Sequence, residues 1–400
     1  MDKRGSSIFL IDSKHNPKER WSEAKLPLRD WFLLPLLAVA TIASLAVPAE
    51  LVSRRLYHDT QTALLSCLVM NDPSTGVRGI PNCSCTGNIL ESTPVEIRFN
   101  SCGHRAGMEC GPKPEGVYRI VLVGSSFGEG LWVPREQTFA ALLPAELSRR
   151  TGRRIELYNE SMQWGTPHSV DLRFNEAIAA KPDMILWTMT PWDIDNVDVT
   201  IPDAANMPPS YQQALAARAS VNSSRANPSM AGEEPLFPLH LAFALRHLLY
   251  KSRYQYMNAS LRNAQETEYL RVDQSARWNQ RMLRFDAYLA DISARAGQAG
   301  IPLVVTVLPL RAQSIMISTG EWQPEFDPYK FGNEVRAAAE SHGASYADVL
   351  AGFRNVSNPD QDYYPVDGHI NKSGHKVVSD LLSDALVVPL TDGLKVTRRD

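Results

Sequence analysis

VLVGSSFGEG, residues 121–130, is a β-branched apolar run that stops in two adjacent serines between glycines. A strand that ends this way can present a hydroxyl at the lip of a sheet, because Gly124, Gly128 and Gly130 allow the sharp turn that aims Ser125 or Ser126 into a cleft. The plainer reading is a strand-to-helix turn in which serine caps amides. Far downstream, in YYPVDGHINKSGHKVVSDLL, Asp367 and His369 stand in a short loop ahead of a helix. A serine hydroxyl is a weak nucleophile near neutral pH and needs a neighbouring base, and the base needs a carboxylate to fix its tautomer. The D-x-H triplet supplies both, so the chemistry these residues could do together is acyl transfer through a covalent ester. A phosphate loop is the competing reading of the glycines, but the stretch has neither GxxxxGK[ST] nor GxGxxG.

Residues so far apart in sequence need a scaffold that brings loop ends together. Between about 118 and 390 the chain alternates strand and helix. YRIVLVG (118–124), RIELYNES (154–161), MILWTMTP (184–191), PLVVTVLPL (302–310) and SYADVL (345–350) read as buried strands. TFAALLPAELSRR (138–150), HSVDLRFNEAIAAK (168–181) and NKSGHKVVSDLLSDAL (371–386) read as helices. Strands apolar on both faces imply a parallel sheet covered by helices on both sides, a three-layer α/β/α flavodoxin-like fold, with chemistry at the carboxyl ends of its strands. Residues 196–275 interrupt the rhythm. They open with the Pro/Ser/Asn-rich 201–235, and FPLHLAFALRHLLYKSRYQYMNASLRNA then reads as one long helix, so the stretch is expected to be an insertion over the site end of the sheet.

With these elements in place, G-S-S-F-G-E-G resembles the first block of the SGNH, or GDSL, hydrolases and O-acyltransferases, whose pattern is Gly-Asp-Ser-x-x-x-Gly. Gly124 and Gly130 match, Ser126 takes the nucleophile position and Ser125 replaces the aspartate. D-G-H-x-N-x-x-G-H resembles the last block of the membrane-associated polysaccharide-acetylating branch, in which Asp367 and His369 would complete a triad. The lead-in agrees, through Asn100-x-x-Gly103-x-Arg105 and Lys113-Pro114-x-Gly116-x-Tyr118-Arg119-Ile120. The resemblance covers about residues 100–390. It implies an oxyanion hole made by the Ser126 amide, by the amide of Ser161 or alternatively Gly165 after the second strand, and by a residue after the third, where Trp192 replaces the usual asparagine and Asp193 is retained. Thr190 or Asn196 could stand in for that asparagine. His375 is expected to cap or pack within the last helix, and Trp164 and Trp192 to wall the site, with Trp187 in the core. The implied activity is that of an esterase or O-acyltransferase on acyl esters, with cell-surface glycan as the substrate, envelope polysaccharide-modification proteins as partners, and no cofactor or metal. The alternative keeps the fold and drops the chemistry: a glycan-binding or scaffold subunit of an envelope polysaccharide system.

The rest of the chain gives the address. WFLLPLLAVATIASLAV, residues 31–47, is an uncharged run preceded by Lys3, Arg4, Lys14, Lys18, Arg20, Lys25 and Arg29. Such a run can span a bilayer, and the basic excess before it keeps the N-terminus cytoplasmic. The expected organisation is a cytoplasmic segment (1–30), a single transmembrane helix (31–52), an extracytoplasmic Cys-containing lead-in (53–115), the α/β domain (116–390) and a tail (391–400). The main domain would then be periplasmic in a Gram-negative cell. Five cysteines, four of them crowded into 83–110, suit disulfides in an oxidising compartment better than paired zinc-ligand spacing, and one is left over. Asp193 and Asp195 form a D-x-D pair, read as a solvated loop or helix cap rather than a metal site. A formal charge of −3 offers no basic field for nucleic acid.

Overall fold

The structure is a computed structural model and describes residues 27–57, 64–72, 76–195, 197, 240–263 and 266–397. Two units are distinguished, Met1–Leu51 and Val52–Asp400. In the first, helix α1 (Leu28–Leu56, running just past the boundary) turns its apolar side chains outward. At 1.5 Å per residue its 28-residue candidate span, Arg29–Leu56, is about 42 Å long, more than the roughly 30 Å of a bilayer's hydrocarbon core, and its charged residues, Arg29, Asp30, Glu50, Arg54 and Arg55, all lie toward its two ends. It is the one helix among the described residues long and apolar enough to cross a membrane.

The second unit begins with two antiparallel hairpins, β1 (Leu68–Asp72) with β2 (Gly76–Gly79) and β3 (Ser84–Gly87) with β4 (Val95–Arg98). Disulfides Cys67–Cys83 and Cys102–Cys110 tie this lead-in together, and Cys85 is free. Its small core, which includes Cys67, Leu68, Ile97 and Phe99, also takes in Leu131, Trp132 and Met162 from the loops that follow the first two strands of the main sheet.

The main sheet contains β5 (Val117–Gly124), β6 (Arg154–Asn159), β7 (Met184–Met189), β8 (Leu303–Val307) and β9 (Ser345–Tyr346). All pair in parallel, in the order β6-β5-β7-β8-β9. This is the flavodoxin-like 2-1-3-4-5 order. β5 is followed by the single turn α2 (Ser126–Glu129) and then α3 (Phe139–Thr151); α4 (Pro167–Ala179) leads to β7, which ends at the short α5 (Pro191–Asp195). The step from β5 to β6 moves one way across the sheet and the step from β6 to β7 moves back. With right-handed crossovers, α3 and α4 therefore fall on opposite faces. A crevice opens where the direction reverses, outside the ends of β5 and β7.

The insertion differs from the expectation. Residues 198–239 lie outside the described residues, and the expected long helix is two, α6 (His240–Tyr250) and α7 (Arg253–Arg262). Ser252 causes the break by capping α7, its hydroxyl accepting from the Gln255 amide, with Arg253 tied to Asp360. Beyond it, α8 (Ala276–Gln298) packs on α4, α9 (Arg311–Thr319) follows β8, and α10 (Lys330–Ser341) packs on β8 and β9. The last helix, α11 (Lys372–Thr397), runs into the stretch expected as a tail (391–400); Leu382, Leu386 and Leu390 are buried along it, and it packs against α3.

Closing a 16-residue separation, the Cys67–Cys83 disulfide should contribute about 3 kcal/mol to the lead-in. Alkylation of the denatured full-length chain is expected to add one group before reduction and five after it. Uptake of three without reductant would show that one of the bridges does not form, and uptake of five that neither does.

Candidate active site

The site begins with a close approach of two strands. A Cβ at Gly124 would lie 2.5 Å from the Thr188 carbonyl oxygen of β7, so only glycine lets β5 and β7 end side by side here. The chain then turns. Ser125 remains extended, and Ser126 is the first residue of α2, where a helical N–H has no intrahelical acceptor. Gly130 closes the turn in a left-handed conformation.

At the far end of the chain, Asp367-Gly368-His369 lies between β9 and α11. The His369 Nδ1 is 2.7 Å from Asp367 Oδ1 and its Nε2 is 2.8 Å from Ser126 Oγ. An ionised Asp367 can only accept, so Nδ1 carries the proton and Nε2 is the acceptor facing the serine hydroxyl. Phe127 and Trp192 pack on the imidazole, their ring centroids 5.1 and 5.3 Å from it, and on each other at 5.6 Å, so the three rings form a triangle. Gly368 has a left-handed backbone, and a Cβ there would press to 3.0 Å on the Trp192 ring. Trp192, which occupies the asparagine position of the resemblance, is thus a wall for the histidine.

The remaining expected residues divide. Gly165 lines the cleft, and a Cβ on it would meet the Gly124 carbonyl oxygen at 2.5 Å and the Ser125 Cα at 3.0 Å. Ser161 does not line it. It is fully buried beneath α2 with its hydroxyl against Gly128, since backbone pairing with β5 continues past β6 through Glu160 and Met162 and turns the intervening side chain inward. Both amides offered as oxyanion donors have acceptors of their own, Ser161 in Asn159 Oδ1 at 3.0 Å and Gly165 in the Met162 carbonyl at 2.8 Å. Thr190 is buried and does not line the cleft, and Asn196 lies outside the described residues. Trp187 packs on Phe285 in the core.

Asp193 and Asp195 part company. Asp195 pairs with Arg281 at 2.7 Å, whereas Asp193 is buried at the edge of the site, accepting from the Thr190 amide at 2.7 Å and from the Ser125 hydroxyl. Burial raises its pKa to about 7. The serine that replaces the aspartate of the first block is therefore a donor to a buried carboxylate, where a second carboxylate would repel the first. His375 accepts from the Phe139 amide at 3.2 Å and so caps α3 across the helix pair. Burial lowers its pKa to about 3, which keeps the imidazole neutral and able to accept.

Three further residues position the site, and no such role is expected for any of them from the sequence, although Arg105 and Glu129 fall within the resembling stretches. Glu91, in the β3–β4 hairpin, accepts from the Val366 and Asp367 amides at 3.0 and 2.7 Å and lies 2.6 Å from His247 Nδ1 on α6. Arg105 is buried, and its guanidinium donates to the carbonyls of Glu129, Gly130 and Val133, knitting the turn after Ser126 to the lead-in. Glu129 accepts from the Gln163 amide at 2.6 Å and joins that turn to the loop after β6. Trp132 and Trp164 complete the cleft of about 230 Å³, and both have left-handed backbones, uncommon for bulky residues and a form of strain that collects at functional sites.

Burial raises the pKa of Glu129 from 4.5 to about 7, against the lowering effect of Arg105. The folded chain then holds a proton that the unfolded chain releases near pH 4.5. This contribution to stability is present in full below that pH and is lost as pH rises to about 7. Glu129→Gln keeps an acceptor for Gln163 and should flatten the decline in stability between about pH 4.5 and about pH 7, read by chemical denaturation. An unchanged slope would assign the decline to other groups. Glu91→Gln places a donor against donors and is expected to slow any reaction at Ser126 about 100-fold with the circular dichroism unchanged, since small misplacements of a reacting group cost that much.

No protein-family model matches the chain, and no curated protein does. Among solved structures it is similar to LAE5, an alpha/beta hydrolase enzyme from the metagenome of Lake Arreo, at 16% identity over 67% of this chain and 96% of that one, with a TM-score of 0.36. It is similar to the acetyl xylan esterase AlAXEase at 12% identity over 67% and 98%, TM-score 0.36, and to the lipase/acylhydrolase from Enterococcus faecalis at 12% over 68% and 96%, TM-score 0.36. Within the chain itself, the strand order is the flavodoxin-like one, and Ser126, Asp367 and His369 meet outside the carboxyl ends of its strands.

Proposed function

We propose that the protein is a membrane-anchored SGNH-type serine esterase or O-acyltransferase acting on acyl esters of cell-envelope or extracellular glycans. One observation carries the reading: a single imidazole joins Asp367 to the Ser126 hydroxyl at hydrogen-bond distance on both sides. Ser126 Oγ attacks the ester carbonyl while its proton passes to His369 Nε2, and Asp367 stabilises the imidazolium. The tetrahedral intermediate then collapses, the alcohol leaves with that proton, and an acyl-Ser126 ester remains. Water or a sugar hydroxyl, deprotonated in turn by His369, takes the acyl group and frees the serine. The Ser126 amide, at the unsatisfied start of α2, is the first oxyanion donor, and Gly165 is the better placed of the two alternatives for the second.

The small cleft suits a short acyl group, and the half-buried rings of Trp164 and Trp192 at its edge suit the apolar face of a sugar. In this reading α1 anchors the chain, the N-terminus is cytoplasmic, the second unit works outside the membrane, periplasmically in a Gram-negative cell, and envelope polysaccharide-modification proteins are its partners. The glycan-binding or scaffold alternative draws on a different observation, that the Ser161 and Gly165 amides already have acceptors, and loss of one oxyanion donor costs about a hundred- to a thousand-fold in rate.

Fluorophosphonate labelling of the full-length protein separates the two. A single adduct on Ser126 is expected, absent in Ser126→Ala and slowed by about a thousand-fold or more in His369→Ala and Asp367→Asn. No adduct on folded protein would overturn the enzymatic reading in favour of the scaffold.

A further inference from the structure

Helix α6 has no fully buried residue. One side, with Phe243 and His247, faces the protein: His247 meets Glu91, and both rings pack on Tyr57, with centroids 5.3 Å from Phe243 and 5.8 Å from His247. The other side carries Leu245, Leu248 and Leu249, at i, i+3 and i+4, each more than half exposed. Tyr254, at the start of α7, is more exposed still. Three leucines aligned on one helix are a contiguous apolar stripe, unlike a lone surface leucine.

Two observations name what covers it. Tyr57 directly follows Leu56, the last residue of the helix that is long enough to cross a membrane. The expected span ends at about residue 52, so chain continuity sets Phe243 and His247 within one ring contact of a residue five positions beyond it, about 8 Å along a helix and within the depth of the headgroup region. The second is charge. From His240 to Gln265 the sequence has no aspartate or glutamate, while Arg246, Lys251, Arg253 and Arg262 are basic, and Arg246 and Lys251 are exposed beside the stripe. An apolar stripe flanked by arginine, lysine and an exposed tyrosine is the composition of a helix that lies in the headgroup region of an anionic membrane.

We infer that the Leu245–Leu248–Leu249 face of α6, with Tyr254, docks on the anionic lipid surface beside the point where α1 emerges. This rests on the reading of α1 as a membrane anchor. Docking would fix the second unit at one orientation to the bilayer. The inner face of the same helix, through His247 and Glu91, ends at the amides of Val366 and Asp367, so the orienting contact and the triad loop share one run of hydrogen bonds.

The test uses the full-length chain in vesicles of phosphatidylglycerol and phosphatidylcholine, with Cys85→Ser removing the free thiol. An environment-sensitive fluorophore is placed in turn at Leu248→Cys, Leu283→Cys and Ile42→Cys, and quenched by lipids that carry a nitroxide near the headgroup or deep in the acyl chain. Leu283 is an exposed leucine on α8 and Ile42 lies in α1. The expected result is shallow quenching at Leu248→Cys, stronger as phosphatidylglycerol rises, deep quenching at Ile42→Cys, and none at Leu283→Cys. Deep quenching at Ile42→Cys with none at Leu248→Cys would overturn the docking face and leave the anchor standing. A blue-shifted but unquenched Leu248→Cys label would also overturn it, by showing that protein covers the stripe. No quenching at Ile42→Cys would remove the anchor and the docking proposal with it.

Discussion

A carboxylate supplied from 275 residues away holds the loop on which the site depends. Glu91 accepts the amides of Val366 and Asp367, and those two bonds set where Asp367 and, two residues later, His369 can stand. The same loop is also tied by the Tyr364 hydroxyl to the Trp132 carbonyl, by Arg311 to the Pro365 carbonyl and by its own pairing of Tyr364 with His369, around a left-handed Gly368. With these bonds, His369 Nε2 reaches Ser126 Oγ across a sheet whose strands alone could not specify the distance. The sheet determines where the serine emerges. The lead-in determines where its base meets it.

The sheet was legible because its central strands β5, β7 and β8 are buried on both faces, whereas at the edge the stretch 345–350 expected as a buried strand pairs only through the exposed Ser345 and half-buried Tyr346. Runs such as Ile120–Val123 and Leu303–Val305 have no polar alternation to be misread, and the short β9 closes the same parallel ladder. Ser126, Asp367 and His369 were legible for another reason: each motif is local, and the physical need of a serine for a base and of the base for a carboxylate links two short stretches without knowledge of the path between them. Contacts that join distant segments left no such trace. Nothing about Glu91 or Arg105 in the sequence says that their side chains finish a loop and a turn elsewhere, because their partners are backbone groups, which every residue has.

The misreadings are also physical. Residues 237–263 have helical spacing throughout, and spacing cannot register that Ser252 offers its hydroxyl to an amide three residues on and restarts the helix. Ser161 ends the stretch that reads as the second strand, and only its amide has an expected role there. Pairing in fact runs on to Met162, which turns Ser161 into the space that Gly128 leaves open. Ser125 is the converse: as a departure from a motif it suggests a loss, while beside the buried Asp193 it is the residue that carboxylate needs.

The core shared by the two hairpins and the loops of the main sheet has a consequence for how such a chain can evolve. Leu131, Trp132 and Met162 belong to loops of the sheet but are packed by residues of the lead-in. The two segments are therefore a single unit of inheritance. A recombinant that took its lead-in from one ancestor and its sheet from another could keep both hydrophobic interiors and still pair mismatched halves of this small one. Selection would meet that mismatch first as a serine and histidine out of register, well before it met an unfolded protein.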